Sequence, residues 1–434
     1  MKKTLSLFLA LAMVLSVALT ACTSEEPNNS VSADNSSQPG QTQTGDPTDE
    51  VVTITYSNFN ASGGQEETLQ RMYEAFHEEY PNIIVQIETI ASSDYFTQMQ
   101  TRVAGGTAPD CYELNIENFA SYANKGVLEE ITGVDLSGLD DTALAAFNVG
   151  GKQYGLPGNF SNVVLFYNKD LFDQAGLDYP TSDWTQADVQ AAAEAIRALG
   201  DNIFGYYQPL TYNEFYKVAA QYGGSLLNAD KTEFTINAPE NVNAAQMMAD
   251  RVLVSNVQPT DVQMGGIGDW DLFMSGRLGM MPTGIWAFNT FAEGCDFDWD
   301  IAIEPGQKVK ATHFFSNACV INTESKHKEA AATWITWLTS SDVAAAIRIE
   351  AGWDLPAIKD QETLSGYLSL TPPESRQLVF DSLNYLIVPP VIEDYSLMSD
   401  IIGQYLSAAA SGSMTVQEAL DAAQRDCSAQ ISLT

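Results

Sequence analysis

The chain has 434 residues, 45% of them hydrophobic and 10% aromatic, which is longer than the roughly 250–300 residues at which single cores stop growing, so two domains are expected. It carries 56 acidic against 20 basic residues, for a formal net charge of −36. That balance excludes nucleic acid as a partner and electrostatic attachment to anionic lipid, and the excess acid reads as a solubilising surface.

The first stretch is a targeting segment. Lys2-Lys3 precedes an apolar run, Leu5–Leu19, too short for a comfortable membrane span. It ends in Leu19-Thr-Ala-Cys22, which resembles a bacterial lipobox, in which the cysteine is lipidated (palmitate) and becomes the new N-terminus. An ordinary secretory signal with a chance cysteine is the alternative. Residues 1–21 are therefore read as a lipoprotein signal peptide, and 22–50 as the lipidated Cys22 with a flexible tether. Thr23–Glu50 has no Lys or Arg and only Val31 and Ala33 as aliphatic residues. Such a segment cannot bury a core and reaches on the order of 30 Å as a coil.

Val51–Tyr56 reads as a strand, and Asn58-Phe-Asn60 with Ser62-Gly-Gly as a loop. A helix follows with Leu69, Met72, Tyr73, Phe76 and Tyr80 on one face, stopped by Pro81. Ile83–Ile90 is a second strand, which makes a βαβ start and a parallel sheet. The next helix carries Tyr95, Phe96, Met99 and Val103. A third strand then exits at Asn115, and a helix runs from Ile116 to the Gly126 cap. Doubly wound folds bind ligands where strand ends open into loops and helix starts, and Asn58, Asn60, Asn115, Glu117 and Asn118 sit at such ends.

The stretch Gly151–Trp184 organises the middle of the chain. A turn, Gly155-Leu-Pro-Gly158, precedes a buried strand, Val163–Tyr167, and a short helix ends near Gly176. This reads as a crossing into a second domain. Helices are expected at 185–199 with a Thr185/Asp188 capping box, then at about 211–221, 240–255 and 268–275. Leu278–Met281 and Asp298–Ile303 read as strands, with Glu304-Pro305-Gly306 as the return crossing. Ala318–Asn322 is a strand back in the first domain, Glu329–Leu338 a helix, and about 342–434 largely helical, with a Gly352-Trp-Asp-Leu-Pro356 loop and a last helix from Thr415.

Catalytic signatures are missing: the sequence contains no GxSxG, Walker A, HExxH or Rossmann glycine pattern. The three histidines, His77, His313 and His327, are isolated and read as surface residues. Asp296, Asp298 and Asp300 begin like a calcium loop, but Ile301 and Gln307 stand where that loop needs glycine and glutamate. No metal site and no cofactor are expected. Cys111, Cys295, Cys319 and Cys427 match no zinc or CxxC spacing and read as small apolar residues, with a Cys111–Cys319 bridge the alternative. What remains is aromatics and side-chain amides at loop positions. Aromatic faces suit the apolar face of a sugar ring, while amides and carboxylates pair with its hydroxyls.

Six motifs in order carry a family resemblance: Phe76-His-Glu-Glu-Tyr-Pro-Asn-Ile-Ile-Val85, Ala104-Gly-Gly-Thr-Ala-Pro-Asp110, the 151–184 segment, Phe273–Trp286, Lys328–Ser340 and Ala408–Leu420. In these the chain resembles the family 1 extracellular solute-binding proteins of ABC importers, the maltose-binding-like sugar receptors. The resemblance implies an α/β, two-lobe periplasmic-binding-protein-like fold (type II) with the ligand cleft between lobes joined by a multi-strand hinge. One lobe would be 51–158 plus about 305–340, the other 159–304 plus about 341–434. Matched by motif, ligand contacts would fall at Asn58, Phe59, Asn60, Tyr95, Glu117, Asn118, Asn159, Tyr206, Trp286 and Trp353. Some relatives carry a stacking Trp late in the chain, where this sequence reads Tyr395-Ser-Leu-Met-Ser399, so a maltodextrin-like ligand does not follow. The implied function is capture of a mono- or oligosaccharide by lobe closure and delivery to an ABC permease. A monomer anchored by lipid on the extracellular face of a Gram-positive-type membrane is implied with it. The alternatives are a binding protein for a polyamine, peptide or metal chelate, and a secreted carbohydrate-active enzyme.

Overall fold

The computed structural model describes residues 50–433. Residues 1–49, on which the expected signal peptide, the expected lipidation at Cys22 and nearly all of the expected tether fall, lie outside the described residues. A mixed sheet organises what is described. Its strands run in the order 83–89, 52–58, 111–115, 312–321, 155–168, 278–284, 204–206, with 299–302 also paired to 155–168. Val52–Asn58 and Ile83–Thr89 pair in parallel along their whole length, and helix Glu66–Glu79 makes the crossover between them, burying Leu69, Met72 and Phe76. Trp334, on helix Lys328–Ser340, enters the same core edge-on to Tyr56 at 5.7 Å and to Phe76 at 4.9 Å.

The crossing differs from the sequence reading. Gly155–Gly158 is not a turn before a short strand; one strand runs unbroken from Gly155 to Asn168. Its first part pairs antiparallel with Thr312–Ile321, and its second with Leu278–Gly284 and Trp299–Ala302. Pro157 is tolerated because the ladder is bulged there. Asn159 faces Asn317 and Pro157 faces Ala318, which leaves Gly158 as the extra residue. The partner strand is also longer than expected, Thr312–Ile321 rather than 318–322. It, and not Glu304-Pro305-Gly306, carries the return. Glu304 is buried against the Lys217 ammonium at 2.7 Å.

The end of the chain does not pack as one piece. Helix Asp342–Glu350, expected with the second lobe, lies on the first crossover helix, with Arg71 and Glu350 paired at 2.6 Å. Ile358 bridges Leu139 on the same side. Ser375 then donates to Asp300 at 2.8 Å, and helices Tyr395–Ala410 and Val416–Gln430 form a separate core with Phe215, Met248, Leu406 and Leu420. Periodicity marks a helix's apolar face and is silent on which sheet that face covers. His313 corrects a second expectation. It is buried, with Nδ1 at 2.8 Å from the Tyr216 hydroxyl and Nε2 at 3.4 Å from Glu214, because it lies on the crossing strand and not in a loop. Cys111, Cys295, Cys319 and Cys427 carry free thiols, and all but Cys295 are buried.

Candidate functional site

The first strand ends in a tight turn held from below. Asn58 is fully buried and its amide nitrogen donates to Glu88 O (3.2 Å) and Thr89 Oγ1 (3.0 Å), while its oxygen accepts from Ala61 N (3.2 Å). Glu113 Oε2 then accepts the main-chain N–H groups of Phe59 (3.1 Å) and Asn60 (3.0 Å). Burial raises the Glu113 carboxyl, and these two amides oppose that rise. Phe59 and Asn60 are thereby aimed into a cavity of about 590 Å³.

The floor of that cavity is a hydrogen-bonded network centred on Asp354. One Asp354 oxygen accepts from Asn60 Nδ2 (3.1 Å) and from Asn159 Nδ2, and the other pairs with the Arg348 guanidinium. Asn159 Oδ1 in turn accepts Asn317 N at 3.0 Å. Three distant segments, the first turn, the bulged central strand and the 352–356 loop, are tied together here. The Arg348 guanidinium also stacks on the Trp353 ring, 4.2 Å from its centroid. Gly352 makes this loop feasible. It closes helix Asp342–Glu350 at φ +60, and a β-carbon there would meet Asn289 Oδ1 at 2.4 Å.

Aromatic faces cover the walls. Phe59 leans on Tyr95 and Phe96 at 5.0 and 5.1 Å. Across the cavity Trp286 is 40% exposed and meets Phe315 edge-on at 5.5 Å. Its place depends on Gly284, where a β-carbon would fall 2.1 Å from the indole ring. Trp270 also lines the cavity and is oriented by its indole N–H, which donates to Thr283 Oγ1 at 3.3 Å. Glu117 opens helix Ile116–Asn124, whose N-cap Asn115 accepts from Asn118 N. The Glu117 carboxyl is only 6% exposed although it lines the cavity, and desolvation pushes it up to about 7.

Of the residues singled out by sequence, Phe59, Asn60, Glu117, Asn159, Trp286 and Trp353 line this cavity. Four are placed elsewhere. Asn58 is spent on the turn. Tyr95 has zero exposure, its hydroxyl donating to Ser57 O (3.0 Å) and Glu113 O (2.9 Å). Asn118 folds back on Asn115 Oδ1 at 2.8 Å. Tyr206 is fully buried beneath the Arg251 guanidinium, 4.4 Å from its ring centroid. Asp354, Asn317, Trp270 and Phe315 line the cavity without having been singled out. Asp354 follows Trp353 in the same loop, and that adjacency was the available signal. Trp270 and Phe315 had none, since a Trp on a short helix and a Phe on a strand read as core.

A family model described as bacterial extracellular solute-binding protein matches residues 60–345. An ABC substrate-binding protein from Listeria monocytogenes, solved in complex with cycloalternan, is 44% identical, with a TM-score of 0.83 over 86% of this chain and 97% of its own. The maltose-bound MalE3 of T. maritima shares the fold at 22% identity, with a TM-score of 0.76 over 87% of this chain and all (100%) of its own. The arabinooligosaccharide-binding protein of Bacillus subtilis (strain 168) is 22% identical over 360 residues, 79% of this chain and 77% of its own. The α/β architecture is thus that of the two-lobe, maltose-binding-protein-like receptors. With the profile spanning most of the described residues and a 44% identical relative aligned nearly end to end, the chain belongs to the bacterial extracellular solute-binding proteins of ABC importers.

Proposed function

We propose that the chain is the extracellular receptor of an ABC importer, that it captures an oligosaccharide in the 590 Å³ cavity, and that it presents the closed form to the permease. The observation that carries the reading is the make-up of that cavity. The exposed indole face of Trp286, the half-buried Phe59 ring and the largely buried edge of Trp353 alternate with the amides and carboxylates of Asn60, Asn159, Asp354 and Glu117. Flat apolar faces take sugar rings, and a fixed set of acceptors and donors takes their hydroxyls. The size is that of a site for several rings. Cycloalternan, held by the Listeria relative, is the first ligand to test.

Closure would be a population shift driven by contacts that the sugar makes only when both walls reach it. In this reading the walls belong to two lobes, with 342–359 on the side of 51–158. The protein acts by binding alone, as a monomer, and Cys22 carries the lipid that holds it to the outer face of a Gram-positive-type membrane. One observation favours a second reading: Glu117 faces the cavity without a cation, which suits a polyamine. The test is a thermal-shift series on the purified protein with cycloalternan, arabino-oligosaccharides and maltose, against spermidine and peptides. A ligand at 100 times its Kd adds about 2.7 kcal/mol, a readily seen shift. A shift with spermidine and none with any sugar would sink the sugar reading.

A further inference from the structure

Glu117 is the one cavity-lining carboxyl whose partners are not accounted for by the fold. Asp354 is saturated by Arg348, Asn60 and Asn159. Glu117 has no side-chain donor among the described residues, only its own main-chain amide. It is 6% exposed, and what exposure it has is to the cavity. A buried acceptor left in this state is costly unless something arrives to satisfy it.

The surrounding elements supply no cation. The phenols that feel its charge are those of Tyr212 and Tyr216 on helix Tyr212–Gln221 and of Tyr395 on helix Tyr395–Ala410, whose rings pack together at 5.6 and 5.7 Å. Burial first, and next the nearby Glu117 charge, push up the phenols of Tyr216 and Tyr395. On the same helix, Lys217 is committed to Glu214 and Glu304, each at 2.7 Å. On the crossing strand, His313 faces Tyr216 and Glu214. Burial therefore lets the carboxyl keep its proton above the range of an exposed glutamate.

We propose that Glu117 selects a pair of ligand hydroxyls, and that capture of this ligand is coupled to release of the Glu117 proton to solvent. This inference rests on the oligosaccharide reading. Two hydroxyls donating to one carboxylate satisfy it only when it is ionised, so the ligand binds the deprotonated form and displaces the proton. No other group or co-reactant is needed, since the buffer base takes the proton. A neutral amide at this position could accept at its oxygen alone and would turn a donor toward the second hydroxyl.

The test is calorimetric titration of the whole protein with cycloalternan at pH 7 in phosphate and in Tris, whose ionisation heats differ. With a carboxyl at about 7, the wild type should release about half a proton at pH 7, and affinity should rise nearly tenfold from pH 5 to pH 6. Glu117→Gln should bind more weakly with no buffer dependence and no pH slope. Glu117→Asp, which keeps the acid, should restore part of the slope. Heat that is the same in both buffers for the wild type overturns the coupling and leaves the sugar reading standing. No heat with cycloalternan, arabino-oligosaccharides or maltose for any of the three proteins removes the sugar reading and the inference with it. Proton release in wild type that persists in Glu117→Gln assigns it to another group and refutes the role of Glu117.

Discussion

Replacing Asp354 with alanine tests the floor of the cavity most directly. Asp354 and Arg348 are each only 4% exposed, so the substitution strands a guanidinium in the interior. Breaking a buried pair by removing one partner costs about 3–5 kcal/mol, chiefly from the uncompensated charge. Asn159 Nδ2 loses its acceptor at the same time, and a buried donor left unsatisfied costs about 1–3 kcal/mol. Asn60 is better placed to turn toward cavity water, and Arg348 keeps its stack on Trp353, so the expected total is about 4 kcal/mol. The assay is urea unfolding followed by tryptophan fluorescence, with Asp354→Ala, Arg348→Met and the double variant compared. The double variant should lie within about 1–2 kcal/mol of wild type, because neither charge is left alone. Its affinity for oligosaccharide should stay low, since Asn60 and Asn159 have lost the anchor that orients them. An Asp354→Ala protein within about 1 kcal/mol of wild type would refute the account of this network, as would single and double variants that simply add.

Three further outcomes are expected. Trp286→Ala should lose about 2–4 kcal/mol of ligand affinity, as a stacking anchor does. Its fold stability should move by less than about 1 kcal/mol, because the ring is 40% exposed; unchanged affinity by calorimetry would remove it from the site. Tyr95→Phe should do the reverse. Its hydroxyl bridges Ser57 O and Glu113 O in the core, so about 1–3 kcal/mol of stability is lost while affinity holds within about twofold, and a large selective affinity loss would return Tyr95 to the cavity. His313 is held down to about 4, first by burial and then by the Lys217 charge. A group with a depressed folded value lends stability that is present above its unfolded value of about 6.5 and is lost as pH falls through 4, here up to about 3 kcal/mol. Its imidazole should stay neutral by NMR at pH 5.5, and His313→Gln should flatten the stability slope between pH 6.5 and 4; an imidazole that titrates near 6.5 would refute the burial argument.

Much of the architecture was legible in the chain itself. The βαβ start follows from one apolar helix face, Leu69, Met72 and Phe76, set between two β-branched runs. Thr185 with Asp188 marks a helix start that the structure reproduces as a capping box, and the last helix begins after Thr415 as read. These are local signals, decided within a turn or two of backbone. The ordered motifs carried the family, and with it Phe59, Asn60, Glu117, Asn159, Trp286 and Trp353 as candidate contacts.

Other features needed the tertiary structure, because they depend on what lies across the sheet. Gly155-Leu-Pro-Gly158 has the composition of a turn, but the bulge opposite Asn317 and Ala318 keeps it a strand. Tyr95 and Tyr206 are as amphipathic in sequence as any sugar platform, and only packing shows that their hydroxyls are used up inside. Asn159 and Asp354 are 195 residues apart, and no spacing rule joins them. Sequence alone determined most of the elements, their order and the class of molecule. Long-range contact decided which acids and amides are spent on the fold and which, like Glu117, are left facing the cavity, because satisfying a buried polar group depends on partners that the chain brings together only when it folds.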